Sequence, residues 1–240
     1  MCFSYAINFS PNSLKSKFGI ENVSLPKQGF FFNGFEHPNL PVLFAPQNET
    51  NFKVDNFEWG LIPSWVSDSL KSKELQKNSL NARSETAFEK PMFQKAWEQN
   101  PCVILASGFF EWEHQNQLKI PHFIYPSSNE ILYMAGIYDT WINSSTGNLI
   151  YSYSILTTHA NQMMEKIHNV KKRMPVVLTE ENVEKWLLID TLGRQELCKP
   201  CPEEFLNSHT VSMKLNSPKN KRNEPWAIEP AIFAKQTTLF

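Results

Sequence analysis

The sequence predicts a single α+β domain, residues 1–240, with a largely antiparallel, barrel-like β-sheet core and a few peripheral helices. Three observations favour this fold class. The chain has 240 residues, of which 41% are hydrophobic, which is enough to bury one sizeable core. Its apolar segments are mostly short and rich in aromatic and β-branched residues, as strands are. Most of these segments follow one another without a helical pattern between them, which favours antiparallel pairing over alternating strand–helix units.

The candidate strands are short apolar runs bounded by turn-forming residues. Residues 143–148 are polar, contain Gly147 and separate two such runs, so they predict a hairpin turn. In chain order, the candidate strands are 2–9, 29–32, 42–45, 57–62, 102–112, 122–125, 131–141, 149–157, 175–178 and 210–213.

Helical signals are fewer. The clearest helix, residues 179–189, has Thr179 at the N-cap, two glutamates in the first turn and apolar residues beyond them. Residues 91–99 begin with Pro91 at a first helical position, and residues 160–166 form a third, short candidate. We therefore expect helices only at the periphery of the sheet.

The net charge of −1 does not by itself indicate a nucleic-acid binder. A local basic patch would suffice, because phosphate binding needs lysine and arginine on one surface only. The ordinary interpretation of each basic grouping is a solvated surface. The three groupings are Lys71, Lys73, Lys77 and Arg83; Lys166, Lys171, Lys172 and Arg173; and Lys214, Lys219, Lys221 and Arg222.

The four cysteines are expected to be thiols in a reducing, cytoplasmic compartment. The sequence shows no signal-peptide pattern and no apolar run long enough to span a membrane, so we expect no membrane partner. Cys198 and Cys201 have the spacing of a zinc knuckle, but no second CxxC and no paired histidines accompany them. We therefore expect no metal and no cofactor.

Cys2 follows Met1 directly, and its small side chain is compatible with removal of that methionine. An N-terminal cysteine carries an amine and a thiol on adjacent carbons, with pKa values of about 7.7–8.0 and about 8.5 in unperturbed peptides. The amine can condense with an aldehyde to an imine, and the thiol can then close a five-membered thiazolidine ring. Because both groups belong to one residue, the closure is intramolecular. The alternative interpretation is a small residue that begins a buried strand.

Three further segments place polar groups among apolar ones. Glu111 lies within the aromatic run 108–112, where a carboxylate suits acid/base work, although simple alternation also permits a solvent-facing residue. His168 either moves protons near neutral pH or is a structural histidine. The third segment, 81–86, follows the tryptophan-flanked run 59–65.

These segments occur together and in one order along the chain. They are Met1-Cys2, Trp59-Gly60-Leu61-Ile62-Pro63-Ser64-Trp65, Asn81-Ala82-Arg83-Ser84-Glu85-Thr86, Gly108-Phe109-Phe110-Glu111-Trp112 and His168…Arg173-Met174-Pro175. The joint pattern closely resembles the SRAP family, the SOS-response-associated peptidase proteins that shield abasic sites. The resemblance runs over nearly the whole chain and implies the SRAP fold.

The resemblance also implies roles for four catalytic residues. Cys2 would crosslink to DNA after removal of Met1. Asn81 would hold the sugar and the Cys2 end of the adduct by hydrogen bonds. Glu111 would assist imine formation and proton transfer at the α-amine, and His168 would protonate the ring oxygen of the deoxyribose to open its hemiacetal.

Four DNA-binding residues follow from the same resemblance. Arg83 and Arg173 would contact phosphates near the lesion. Trp65 and Pro46 would stack or wedge against the strand and its exposed bases, which fits the general use of aromatic platforms in single-strand binding.

The function implied is an enzyme that crosslinks abasic sites in single-stranded DNA, with lyase and autopeptidase activities left open. Its partner would be single-stranded DNA containing an abasic site, and we expect a monomer that is nucleoid-associated if bacterial. Two other functions remain open at this point. One is a cysteine peptidase that uses Cys2, Glu111 and His168 on its own N-terminus or on peptides. The other is a non-covalent single-strand DNA binder.

The sequence departs from the family pattern at several places. Phe3-Ser4 stands where the family most often has Gly-Arg, so the phosphate contact near Cys2 that the resemblance implies for that arginine is absent here. Val66 replaces a second tryptophan. The stretch 67–79 exceeds a minimal connection, and we expect its tip to be mobile. Residues 169–172 lengthen the segment between His168 and Arg173.

Overall fold

The computed structural model describes residues 2–21, 23–27, 29–46 and 51–231. Met1, whose removal the sequence analysis predicts, lies outside the described residues. The strands are β1 Ser4–Ala6, β2 Phe32–Asn33, β3 Asn39–Phe44, β4 Lys53–Trp59, β5 Asn81–Arg83, β6 Pro101–Ala106, β7 Gly108–Gln115, β8 Leu118–Pro126, β9 Leu132–Ile142, β10 Leu149–His159, β11 Arg173–Pro175, β12 Val177–Leu178 and β13 Leu206–Thr210. The helices are α1 Pro11–Phe18, α2 Ser69–Asn78, α3 Gln94–Gln99, α4 Gln162–Ile167, α5 Glu180–Leu188 and α6 Thr191–Leu197.

Five strands close into a barrel. β10 pairs with β4 on one side and with β9 on the other, β3 pairs with β4 and β6, and β6 pairs with β9. Most of these pairings are antiparallel, and β4–β10 is parallel. The main hydrophobic core fills this barrel and continues beneath the helices. The predicted fold class, α+β with a largely antiparallel barrel-like sheet and peripheral helices, is therefore confirmed.

A second, five-stranded sheet lies beside the barrel in the order β13-β8-β7-β1-β2. The chain passes from the barrel to this sheet at Ser107, between β6 and β7. The Ser107 N–H donates to the Ala6 carbonyl at 2.7 Å, and the Ser107 hydroxyl accepts from the Asn8 N–H at 2.5 Å. The predicted single strand 102–112 is therefore wrong, because contacts distant in sequence divide one apolar run between two sheets.

The register of the second sheet directs the start of the chain toward β7. Tyr5 lies opposite Phe109 and Ala6 opposite Gly108 in an antiparallel pair. Each step from Tyr5 toward Cys2 thus matches one step from Phe109 toward Glu111. Continued past the paired residues, this register sets Phe3 opposite Glu111, so Cys2 is one residue away from the position facing the carboxylate of β7.

The stretch 67–79 contains the helix α2, which no pattern in the sequence predicted, and the mobility of its tip stays a prediction. Asp68 caps the helix by accepting from the Leu70 N–H at 2.7 Å, and Gln76 donates to Glu58 on β4 at 2.8 Å. The helix shows little apolar periodicity because Ser72 and Gln76 are the residues it buries. Polar contacts anchor it to the barrel instead.

Among the helices of the described segments, none is long and apolar enough to cross a membrane.

Candidate active site

A groove of about 730 Å³ opens between β7, β8, the segment after α4 and the chain that follows β13. Glu111 and His168 lie in this groove, and Phe3, the neighbour of Cys2, forms part of its wall. The other lining residues are Trp112, His114, Gln117, Leu118, Lys119, Val170, Lys171, Met213, Leu215, Asn216 and Arg222. The groove therefore combines two acid/base groups with apolar walls and cations.

Cys2 lies beside this groove and is tied to Asn81. The Asn81 amide Nδ2 donates to the Cys2 carbonyl at 2.8 Å, although the two residues are 79 positions apart. The Cys2 thiol donates to the Ser4 carbonyl at 3.6 Å and is 1% exposed. Burial, with a smaller effect of the Glu111 carboxylate, raises the pKa of the Cys2 thiol well above its usual range. The thiol is therefore kept in its neutral form.

Asn81 offers one further hydrogen-bonding atom. It stands on β5, which pairs in parallel with β10 and so inserts Asn81 at the barrel rim. Its Oδ1 is buried and has no hydrogen-bond partner among the described residues. A buried acceptor without a donor costs free energy, so it marks a place where a ligand donor would be stabilised.

Glu111 and His168 form a buried pair. Glu111 is 7% exposed, so it does not face solvent as strand alternation would permit. Its Oε2 lies 3.7 Å from the Nδ1 of His168, which is also 7% exposed. The pair places a carboxylate and an imidazole next to Cys2, whose carbonyl accepts a hydrogen bond from Asn81.

The His168 ring is oriented by the backbone. Its Nδ1 lies 2.8 Å from the Arg173 carbonyl, which only accepts, and 3.3 Å from the Arg173 N–H, which only donates. The shorter contact favours the tautomer with the proton on Nδ1. Burial lowers the pKa of His168, and the nearby Glu111 carboxylate opposes that shift only in part. The ring is therefore neutral at pH 7.

Arg173 is positioned by an ion pair. Its guanidinium donates twice to the Glu85 carboxylate, at 2.6 and 2.8 Å, and once to the Thr157 carbonyl at 2.6 Å. Although burial acts to raise it, these hydrogen bonds lower the pKa of Glu85 overall. Arg173 is 7% exposed, so most of its donors are used inside the protein, while Nε has no partner among the described residues. Its predicted phosphate contact stays a prediction.

The other predicted DNA contacts lie outside the lining of the groove. Arg83 is exposed and, two residues from Asn81 on β5, faces the same side of the strand. Trp65 is 52% exposed in a shallow depression with Pro91 and Lys95, and its indole donates to the Pro91 carbonyl at 3.3 Å. Pro46 is half-buried at the end of a described segment. Their roles also stay predictions.

Two cationic residues of the groove were not predicted as site residues. Arg222 and Lys171 belong to basic groupings interpreted as solvated surface, yet both line the groove. Asn216 accepts from the Trp112 indole at 2.7 Å and so joins the chain after β13 to β7. No local pattern signals the position of Arg222, because it packs on Phe31, which is distant in sequence.

Cys198 and Cys201 lie near the end of β10 rather than in the groove. Thr158 donates to the Cys198 carbonyl and Asn161 to the Cys201 carbonyl, both at 3.0 Å. Burial raises the pKa of both thiols to about 12. The residues that the structure describes contain no cluster of three or more His, Cys, Asp or Glu side chains that could hold a metal ion.

The fold and site define a class of one-barrel proteins in which a cysteine at position 2 lies beside a buried carboxylate–imidazole pair. A family model described as SOS response associated peptidase (SRAP) matches residues 1–218, and the chain belongs to this family. The chain is 34% identical to "Abasic site processing protein YoqW" of Bacillus subtilis, over 95% of this chain and 99% of that protein. It is 34% identical to "Abasic site processing protein HMCES" of Xenopus tropicalis, over 80% of this chain and 64% of that protein.

A solved structure has the same fold. The crystal structure of a protein from Bacteroides thetaiotaomicron superposes with a TM-score of 0.88 and 32% sequence identity, over 96% of this chain and 100% of that one. The arrangement of barrel and second sheet is thus shared across nearly the whole length of the chain.

The buried histidines make stability depend on pH. Burial lowers the pKa values of His168 and His122, so below pH of about 6.5 the unfolded chain binds protons at these rings more readily than the folded one. We expect the free energy of unfolding to fall between pH 7.5 and 5.5, measured by urea denaturation. His168→Gln should reduce that fall, because it removes one of the two buried rings. An unchanged fall in His168→Gln would contradict this account.

Proposed function

We propose that this protein processes abasic sites in DNA and does so by forming a covalent bond between Cys2 and the aldehyde of the abasic sugar in single-stranded DNA. The observation that carries the proposal is the hydrogen bond of 2.8 Å from Asn81 to the Cys2 carbonyl, beside the Glu111–His168 pair. The family membership and the names of the relatives point to the same substrate.

The first step opens the sugar. An abasic sugar is mainly a closed hemiacetal, so a proton must reach its ring oxygen while the anomeric hydroxyl loses one. With its own proton on Nδ1, the neutral His168 ring accepts the proton of the anomeric hydroxyl at Nε2 and passes it to the ring oxygen, so the step needs no further proton. Asn81 Oδ1, which lacks a donor among the described residues, can accept from a sugar hydroxyl during this step.

The second step is attack by the amine. Once Met1 is removed, Cys2 carries a free α-amine, and an unperturbed α-amine has a pKa of about 7.7–8.0, low enough to supply unprotonated amine near neutral pH. Its nitrogen bonds to the aldehyde carbon, and the resulting carbinolamine loses one water to become an imine. Glu111 accepts the amine proton and returns it to the departing hydroxyl. The buried thiol is neutral, which supports the amine rather than the sulfur as the first nucleophile.

The third step closes the ring. The sulfur bonds to the imine carbon and the thiol proton passes to the nitrogen, so the net reaction of aminothiol and aldehyde releases one water. The thiazolidine no longer contains the imine that promotes β-elimination of the strand. The product would therefore shield the abasic site from cleavage.

A single strand is the substrate that this site favours. A sugar that reaches the buried Cys2 must leave the stack of its neighbours, and this costs least where no duplex has to be opened. The chain is proposed to act as a monomer, because Cys2, Asn81, Glu111 and His168 all come from one chain.

A general cysteine peptidase is less well supported. Such an enzyme needs a thiolate beside a protonated histidine. Burial instead raises the pKa of Cys2 and lowers that of His168, which disfavours both charged forms. Peptide chemistry at this site would then be restricted to the protein's own N-terminus.

The proposal is tested with three oligonucleotides of one sequence, carrying an abasic site, its tetrahydrofuran analogue without an aldehyde, or an intact nucleotide. We expect a denaturant-resistant species with the abasic strand only, and an intact mass of the free protein that lacks Met1. Equal retention of all three strands without a covalent species would instead identify a non-covalent binder. Cleavage of unrelated peptides that is lost in Cys2→Ser would favour the peptidase.

A further inference from the structure

We infer that Phe3 and Phe35 form a stacking subsite for the nucleobase next to the abasic site, with Arg222 as the contact to the backbone of the same nucleotide. This inference rests on the proposed function, since its ligand is the strand on which the abasic site lies. It concerns residues that none of the predicted site roles includes.

The two aromatic rings form a pair at the rim of the groove. Their centroids are 5.0 Å apart with an angle of 36° between the rings. Phe3 lines the groove beside Glu111 and His168, while Phe35 is 54% exposed. One ring therefore faces the reaction site and the other offers a largely uncovered face to solvent.

The pair is held in place by backbone hydrogen bonds. The Gly34 N–H donates to the Phe3 carbonyl at 2.9 Å, and Ser4 pairs with Asn33 between β1 and β2. Asn33 also accepts from the Phe35 N–H at 3.2 Å, which caps the short turn Gly34–Glu36. The exposed ring thus lies on an ordered turn, so binding a base to it costs little additional conformational entropy.

A single exposed aromatic side chain needs no explanation, but this pair lies beside a cation. Arg222 lines the same groove, and its guanidinium lies 4.7 Å from the centroid of the Phe31 ring. The guanidinium is also 3.6 Å from the carboxylate of Glu36, which is 68% exposed. A phosphate of the bound strand can replace this carboxylate as the partner of Arg222. An aromatic face next to a cation is the combination that binds single strands without recognising the hydrogen-bonding edges of their bases.

The position of Phe3 identifies the base that it would meet. Phe3 is adjacent in the chain to Cys2, the residue proposed to bond the abasic sugar, so its ring lies within one nucleotide of that sugar. Larger purine rings should stack on this pair better than pyrimidines, because they offer more surface to the exposed ring.

The test measures non-covalent binding of a strand with the tetrahydrofuran analogue, which cannot form an imine. We expect Phe35→Ala to weaken binding about tenfold, the order expected for one base–aromatic stack. Phe35→Trp should restore binding, and Phe205→Ala, at an exposed ring outside the groove, should leave it unchanged. The loss in Phe35→Ala should be larger with purines than with pyrimidines on both sides of the analogue. Arg222→Gln should reduce the slope of log K against log salt by about 0.7.

Failure of the inference can be told from failure of the proposed function. If the wild-type protein crosslinks to the abasic strand but Phe35→Ala binds the analogue as tightly as wild type does, the subsite is wrong and the crosslinking stands. If the wild-type protein binds through Phe35 but forms no covalent species, crosslinking is wrong and the subsite stands.

Discussion

Cys2→Ala is expected to abolish the denaturant-resistant complex with an abasic strand. The substitution leaves an α-amine but removes the sulfur that closes the ring, so any imine that forms is open to hydrolysis and elimination. We expect less than about 1% of the wild-type covalent product after heating in denaturant, since ring closure contributes a large effective molarity. The measurement is a denaturing gel with labelled abasic oligonucleotide over a time course.

Two controls define this prediction. Cys198→Ala removes a thiol that lies outside the groove and should crosslink like the wild type. Trapping with borohydride should recover a reduced amine adduct from Cys2→Ala, because its imine still forms. A covalent species of wild-type yield in untreated Cys2→Ala would exclude the thiazolidine.

Glu111→Gln is expected to slow crosslinking by about two to four orders of magnitude, the range of general acid–base catalysis by one side chain. The amide keeps the shape of the side chain beside His168 but cannot accept the proton of the α-amine. The rate constant is measured by quenching the reaction at intervals with excess unlabelled abasic strand. Binding of the tetrahydrofuran analogue should change little, because the lost step is chemical.

A matched control for Glu111 is present on the same strand. Glu113→Gln replaces the second glutamate of β7, which pairs with His122 at 3.1 Å and does not line the groove. It should react at the wild-type rate. Equal slowing by Glu113→Gln, or an unchanged rate in Glu111→Gln, would remove Glu111 from the mechanism.

Much of the candidate site could be predicted because it lies in motifs that are unusual in themselves. A carboxylate in the aromatic run Phe109–Trp112 and a cysteine at position 2 are local features that are visible without a structure. Their proximity is not local. It depends on the register of β1 against β7 and on the parallel pairing of β5 with β10, and no neighbouring residue encodes either pairing.

The fold class was predictable for a similar reason, whereas element boundaries were not. Short apolar runs indicate strands in general, yet the division at Ser107 depends on its bonds to Ala6 and Asn8. Polar helices such as α2 were missed because they are held by caps and side-chain hydrogen bonds rather than by an apolar face. Arg222 was interpreted as solvated because its aromatic neighbour Phe31 is far away in sequence.

The measurement that tests the central claim most directly is mass spectrometry of the adduct after digestion of both protein and DNA, with and without prior treatment by a thiol alkylating reagent. The account predicts that the N-terminal peptide begins at Cys2, carries one sugar remnant and is one water lighter than the sum of its parts. It also predicts that the Cys2 sulfur in this peptide resists alkylation. A remnant on any other residue, or an N-terminal peptide that retains Met1 while the covalent complex forms, would contradict it.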